Sequence, residues 1–190
     1  MEQTPEANGP AAARSGFKRK VLEWSGYLLA VGLFLFFFAP ESWFQFGVTD
    51  AAERKAGGAF RLKAFDGGAE WDFSEKRGKV LVVNYWATWC GPCRLETPGL
   101  VSFAKEHRDK GVEVVGVTVD EDLSLVGPFI ESYGVDYPIL LPGADPNLPQ
   151  GDLALPTTFL YDKQGRLAKR YTGFVLESTL RSDAAKLLAE

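Results

Sequence analysis

The run Val80-Leu-Val-Val-Asn-Tyr-Trp86 is almost unbroken in apolar, largely β-branched residues, and Val112-Glu-Val-Val-Gly-Val-Thr-Val119 repeats the pattern further on. A strand without polar alternation buries both of its faces, so these two runs belong at the centre of a sheet covered on each side. Residues 91–108 between them read as a helix, with Leu95, Leu100, Phe103 and Ala104 as its core stripe and a kink at Pro98. A second helix is expected over 123–133, stopped by Gly134, and a last one over 177–188. Residues 139–141 suit a short strand, 142–149 a loop, and 157–161 and 167–172 two strands joined by the turn Asp162-Lys-Gln-Gly165. Ahead of the first long strand, Phe60-Arg-Leu62-Lys and Glu70-Trp71-Asp-Phe73 alternate apolar with polar around Asp66-Gly67-Gly68, the pattern of a hairpin. The alternation predicts an α/β fold: a mixed central sheet flanked by helices, parallel at its core and antiparallel towards the carboxyl end, with an added N-terminal β-hairpin.

Of the 190 residues, an amino-terminal apolar stretch and its tail leave roughly 135 for the body, the size of one domain. The 20 Gly and 11 Pro fall without period and exclude a collagen-like or repeat architecture. A net charge of -4 argues against a nucleic-acid partner, which calls for a basic face. Residues 1–20 are poor in bulky apolar groups and read as a disordered tail. From Trp24 to Pro40 the chain is almost continuously apolar, and with its flanks the segment 21–46 is long enough to cross a bilayer. A cleaved signal peptide is the competing reading. No small-x-small pair follows the run directly, the nearest being Thr49-Asp50-Ala51, which favours an uncleaved transmembrane helix. Arg14, Lys18, Arg19 and Lys20 precede it while Glu41, Asp50 and Glu53 follow, so the tail is expected in the cytoplasm and the body on the outer, periplasmic side. There disulfides persist. Residues 47–59, with no apolar period and a Gly pair, read as a linker, and 60–190 as the folded domain.

Cys90 and Cys93 are the chain's two cysteines and His107 its one histidine, too few for a four-ligand structural zinc site. Trp89-Cys90-Gly91-Pro92-Cys93 follows a buried strand and opens a helix, where unpaired N–H groups and the macrodipole favour an anion. The Cys90 thiolate thereby becomes a nucleophile, and Cys93, one turn in and more enclosed, the resolving thiol. Pro92 fixes φ early in the helix and helps hold the sulfurs at bonding distance. Two other readings stand beside this one: a static disulfide, although so short a loop adds little stability, and half of a shared copper site, although no Met or His cluster accompanies the pair. By position alone Glu96 is a surface carboxylate favoured by the dipole, Pro156 a turn or edge signal, and His107 a solvated residue at a helix end.

The run from Val80 through Cys90-Gly-Pro-Cys93 to Pro98, followed later by Leu155-Pro156-Thr157-Thr158-Phe159, resembles the thioredoxin superfamily, in particular its membrane-anchored TlpA/ResA-like branch, over about 60–188. The resemblance implies a thioredoxin-like fold and a thiol-disulfide oxidoreductase whose redox-active disulfide is its own Cys90–Cys93, with no further cofactor. It implies a cis Leu155-Pro156 bond in a loop facing the cysteines, with partner chains held near Trp89, Gly91, Pro92, Leu155 and Thr157. Where thioredoxin has a buried Asp this chain has Asn84, which cannot take a proton. The branch instead carries a Glu three residues after its second Cys, and Glu96 matches it as the acceptor for the Cys93 proton. Expected partners are protein disulfides, of apocytochrome c or the copper-site cysteines of a respiratory oxidase. A membrane-embedded protein would donate electrons, and lipid would hold the anchor. An oxidase or isomerase, and a copper relay, are the rival functions.

Overall fold

The long apolar run does become the sheet's central strand. In the computed structural model, which describes residues 48–58, 60–143 and 153–190 together with Trp24 and Tyr27, β4 (Val80–Trp86) buries all seven of its side chains. The other strands are β1 (Lys55–Ala56), β2 (Arg61–Leu62), β3 (Trp71–Asp72), β5 (Val112–Thr118), β6 (Ile139–Leu140), β7 (Thr157–Tyr161) and β8 (Arg166–Thr172); the helices are α1 (Gly91–His107), α2 (Val126–Tyr133) and α3 (Glu177–Leu188). Six strands form one sheet in the order β1-β8-β7-β4-β5-β6, while β2 and β3 form a separate hairpin. β5 runs parallel to β4 in the register Val80↔Val112 to Trp86↔Thr118. β7 and β8 are antiparallel. The expected mixed sheet, its helices and the added hairpin are all present.

Alternation along β4 divides the core. Val80, Val82 and Trp86 join the larger apolar cluster with Leu100, Phe103 and Ala104 of α1, Phe129 of α2 and Leu180, Ala184 and Leu187 of α3. Leu81, Val83 and Tyr85 join a second cluster, closed by the hairpin residues Phe60, Leu62, Trp71 and Phe73. Phe60 stacks on Phe73 at 4.6 Å between centroids, and Phe73 meets the edge of Tyr161 at 4.9 Å. The hairpin thus covers apolar surface that the helices leave open.

The structure corrects three readings. Residues 47–59 are more than a linker: β1 pairs with β8, Lys55 opposite Leu167 and Ala56 opposite Arg166. Gly57 follows because a Cβ there would meet Tyr161 and the Gly165 carbonyl within 2.7 Å. The buried Arg54 donates to Asp162 Oδ2 (3.0 Å) and to both carboxylate oxygens of Glu190. On α1, Leu95 is 75% exposed, because the buried stripe runs through Cys93, Glu96, Thr97, Leu100, Phe103, Ala104 and His107, steps of three and four that leave position 95 on the outer face. His107 is buried, stacked on Phe103 at 4.3 Å and bonded through Nδ1 to the Phe103 carbonyl.

The expected tail (1–20) and anchor (21–46) lie outside the described residues apart from Trp24 and Tyr27. Among the described residues no helix is long and apolar enough to cross a membrane.

Candidate active site

β4 ends at Trp86, and the chain turns once before α1 begins. The Cys90 N–H closes this turn onto the Ala87 carbonyl at 3.2 Å, which leaves Cys90 as the helix N-cap with Pro92 just inside. The Cys93 N–H, one of the free donors of the first turn, points at Cys90 Sγ at 3.2 Å. Cys90 and Cys93 are joined by a disulfide, S–S 2.03 Å and Cα–Cα 5.2 Å. Both are buried, while Trp89, Gly91 and Pro92 around them are exposed, Trp89 at 69%. A groove of about 630 Å³ opens beside the pair, lined by Trp89, Cys90, Gly91, Pro92, Val119, Leu153 and Leu155. Its walls are largely apolar.

Across the groove, the Leu155-Pro156 bond is cis. The Pro156 carbonyl accepts from Gly173 N–H at 2.8 Å, which ties this loop to the β8–α3 connection. Thr157 does not belong with the groove residues. Its side chain is fully buried and donates to the Ala154 carbonyl, and its backbone already lies in the sheet between β4 and β8. The reason is register: β7 begins at Thr157, so the groove ends at Leu155.

Glu96 is buried, only 3% exposed. Three residues beyond Cys93 on one helix, it occupies the same face as that thiol. Asn84 Nδ2 donates to Glu96 Oε1 at 2.8 Å and also to Thr158 Oγ1 at 2.9 Å. Val175 N–H donates to Oε2 at 2.8 Å. Burial is the dominant influence and pushes the carboxyl up from its ordinary range to about 7, against the opposing pull of these donors. Position in sequence alone suggested a surface carboxylate; β4, β7 and the β8–α3 connection instead close over it. The sequence gives no sign that Asn84 and Thr158 meet at Glu96, because their convergence arises from the pairing Asn84↔Thr158 between two strands distant in sequence.

The Redoxin family matches residues 51–188. The chain belongs to this family. Among curated relatives, the thiol-disulfide oxidoreductase ResA of Bacillus subtilis is 38% identical over 110 residues, 57% of this chain and 62% of the relative. ResA of Geobacillus thermodenitrificans is 36% identical over 60% of this chain and 66% of the relative. The matched region thus spans a little under two thirds of these relatives' length. Among solved structures, a secreted thiol-disulfide isomerase from Corynebacterium glutamicum superposes with a TM-score of 0.69 at 25% identity, covering 75% of this chain and 91% of the other. A thioredoxin family thiol:disulfide interchange protein from Chlorobium tepidum gives 0.65 at 26% identity, covering 74% and 99%. The family match begins at residue 51, within the stretch that supplies Arg54 and β1.

Proposed function

We propose that this redoxin is a thiol-disulfide oxidoreductase that reduces disulfides of partner proteins through a Cys90–Cys93 dithiol/disulfide cycle. The observation that carries the reading is a buried carboxyl, held near pH 7 by its surroundings, one helical turn beyond a cysteine pair at a helix N-terminus. In the reduced protein the Cys90 thiolate attacks one sulfur of a partner disulfide; a mixed disulfide forms and the partner's other sulfur leaves as thiolate. Cys93 then loses its proton to Glu96 and attacks Cys90 Sγ. The Cys90–Cys93 bond closes, the second partner sulfur leaves, and two electrons have passed to the partner. Each turnover leaves this chain oxidised, so an external dithiol must restore it. The reading calls for no cofactor beyond the cysteines.

The groove and the Leu155-Pro156 loop suit an extended segment of a protein substrate, its side chains against Trp89 and Leu155. The names of the relatives, thiol-disulfide oxidoreductases, support disulfides as the substrate; cytochrome c maturation or oxidase copper-site assembly as the setting rests on the resemblance of the sequence to the TlpA/ResA-like branch. The apolar segment 21–46 supports a body tethered to the outer face of the cytoplasmic membrane and supplied with electrons by a membrane protein.

Reduction of insulin by dithiothreitol tests the chemistry. The full-length chain should accelerate it, Cys90→Ser should abolish the effect, and Cys93→Ser should trap mixed disulfides with partner proteins. Absence of acceleration together with tight Cu(I) binding that Cys93→Ser destroys would replace the reading with a copper relay.

A further inference from the structure

Asp120, two residues beyond the end of β5, is buried and differs from the other buried Asp side chains. Asp72 faces Arg61, Asp162 faces Arg54 and Arg166, and Asp183 faces Lys169 and Lys186. Among the described residues no cation lies within ion-pair reach of Asp120. Its carboxylate is instead held by two threonines. Thr88 N–H donates to both oxygens (3.1 and 2.9 Å), Thr88 Oγ1 to Oδ1 (2.6 Å) and Thr118 Oγ1 to Oδ2 (2.6 Å).

The grip falls on the turn that presents the nucleophile. Thr88 stands two residues before Cys90, so their Cα atoms are within about 7 Å, and the Cys90 N–H closes the same turn onto Ala87. The next link is also fixed: Val119, adjacent to Asp120, donates its N–H to the Trp86 carbonyl at 2.9 Å and lines the groove beside Cys90. Burying a carboxylate without a countercharge is costly. Here the carboxylate is both desolvated and rigidly placed, and its charge acts on its surroundings with little screening by water.

We propose that Asp120 is a positioning residue of the dithiol site: gripping the turn through Thr88, it places a fixed negative charge beside Cys90 and keeps that thiol less acidic than the helix N-terminus alone would make it. The inference rests on the dithiol reading above and deepens it. Two opposed fields meet at Cys90, the N–H groups of the first turn of α1 and the Asp120 carboxylate. Of the other charged groups near the turn, Glu96 is buried on the Cys93 side of α1, and Arg94 is exposed and donates from Nε to Tyr133 of α2. A less stabilised thiolate makes the reduced pair a stronger reductant.

The test is the pH dependence of iodoacetamide alkylation in the full-length chain carrying Cys93→Ser, where Cys90 is the one thiol. Asp120→Asn retains an acceptor for Thr88, and the Thr118 hydroxyl can turn round to accept from the new amide. The expected result is a midpoint lower by about 0.5–1 pH unit, a threefold to tenfold faster alkylation below the midpoint. Asp120→Ala should move it the same way, with lower thermal stability, and Asp120→Glu should stay near the native value. If Asp120→Asn fails to fold, Asp120→Ala decides. A folded neutral variant that titrates with the native midpoint overturns the proposal, as does a midpoint that rises. Because the assay needs no partner protein, a chain inert towards insulin whose neutral variants still shift would sink the oxidoreductase reading alone.

Discussion

Glu96 has a proposed role in rate and a separate effect on stability. As the proposed proton acceptor for Cys93 it would act on release of the mixed disulfide and leave its formation untouched. Glu96→Gln should therefore slow release by about 100-fold, the usual scale of general-base assistance, with formation changed little, in stopped-flow measurements of a trapped mixed disulfide. Equal effects on both steps would return Glu96 to a packing role. The stability effect follows from its carboxyl being raised from the ordinary 4.5 to about 7. The folded state then binds the proton more tightly than the unfolded chain, so this contribution is complete below about pH 4.5 and is lost as pH rises to about 7. It amounts to about 3 kcal/mol. Asp72, held near 2 mainly by Ser74 and Arg61, stays charged throughout that window and adds no slope. Guanidinium unfolding at pH 5 and pH 8 should show the oxidised protein less stable at pH 8, and Glu96→Gln should remove most of the difference.

Among the elements, β1 shows where a sequence gives no warning. Its two side chains, Lys55 and Ala56, are exposed, so no apolar period marks it. Pairing runs through backbone, and the anchoring charge, Arg54, finds Asp162 and Glu190 only when the chain ends are brought together. The Arg54 and Asp162 side chains are both 1% exposed; without Arg54, Asp162 keeps Arg166 as its partner, and what is lost is the set of charged hydrogen bonds that Arg54 makes to Asp162 and Glu190. Arg54→Ala should cost about 2 kcal/mol, read as a lower denaturant midpoint at unchanged slope. A chain begun at residue 60 should lose at least as much. Helix α1 lies at the opposite extreme: Leu100, Phe103 and Ala104 were legible as a stripe, since spacing alone places them. Leu95 and His107 depart from expectation for one reason: helical phase decides burial ahead of residue type or nearness to the helix end. An apolar Leu off the stripe is exposed, and a His on it is buried.

Across the whole molecule, the mixed sheet and the cysteine pair were legible together, because alternating buried strands and helices give the one and a buried strand running into Cys-Gly-Pro-Cys gives the other. The strand order and the surroundings proposed to tune the pair were not. Asn84, itself held by Thr158, and Val175 reach Glu96 from separate parts of the chain, and Asp120 reaches the Cys90 turn from just beyond β5. Their joint effect is a whole-molecule property, the reduction potential. Equilibration of the full-length chain against dithiothreitol, read by tryptophan fluorescence, should give a value near or below about -250 mV; one near about -120 mV would make the protein an oxidant of secreted thiols. Trp86 lies buried in the same cluster as both cysteines, and Trp89 precedes Cys90 directly in the chain. Among the described residues the sheet ends on both sides in strands of two residues, β1 and β6, and the β6 edge is capped by a bridge from Ala64 to Leu140. So short a border offers a loose polypeptide few free amides to zip onto. On the proposed reading, a client chain held at the Leu155-Pro156 loop therefore meets no long free edge along which it could stack.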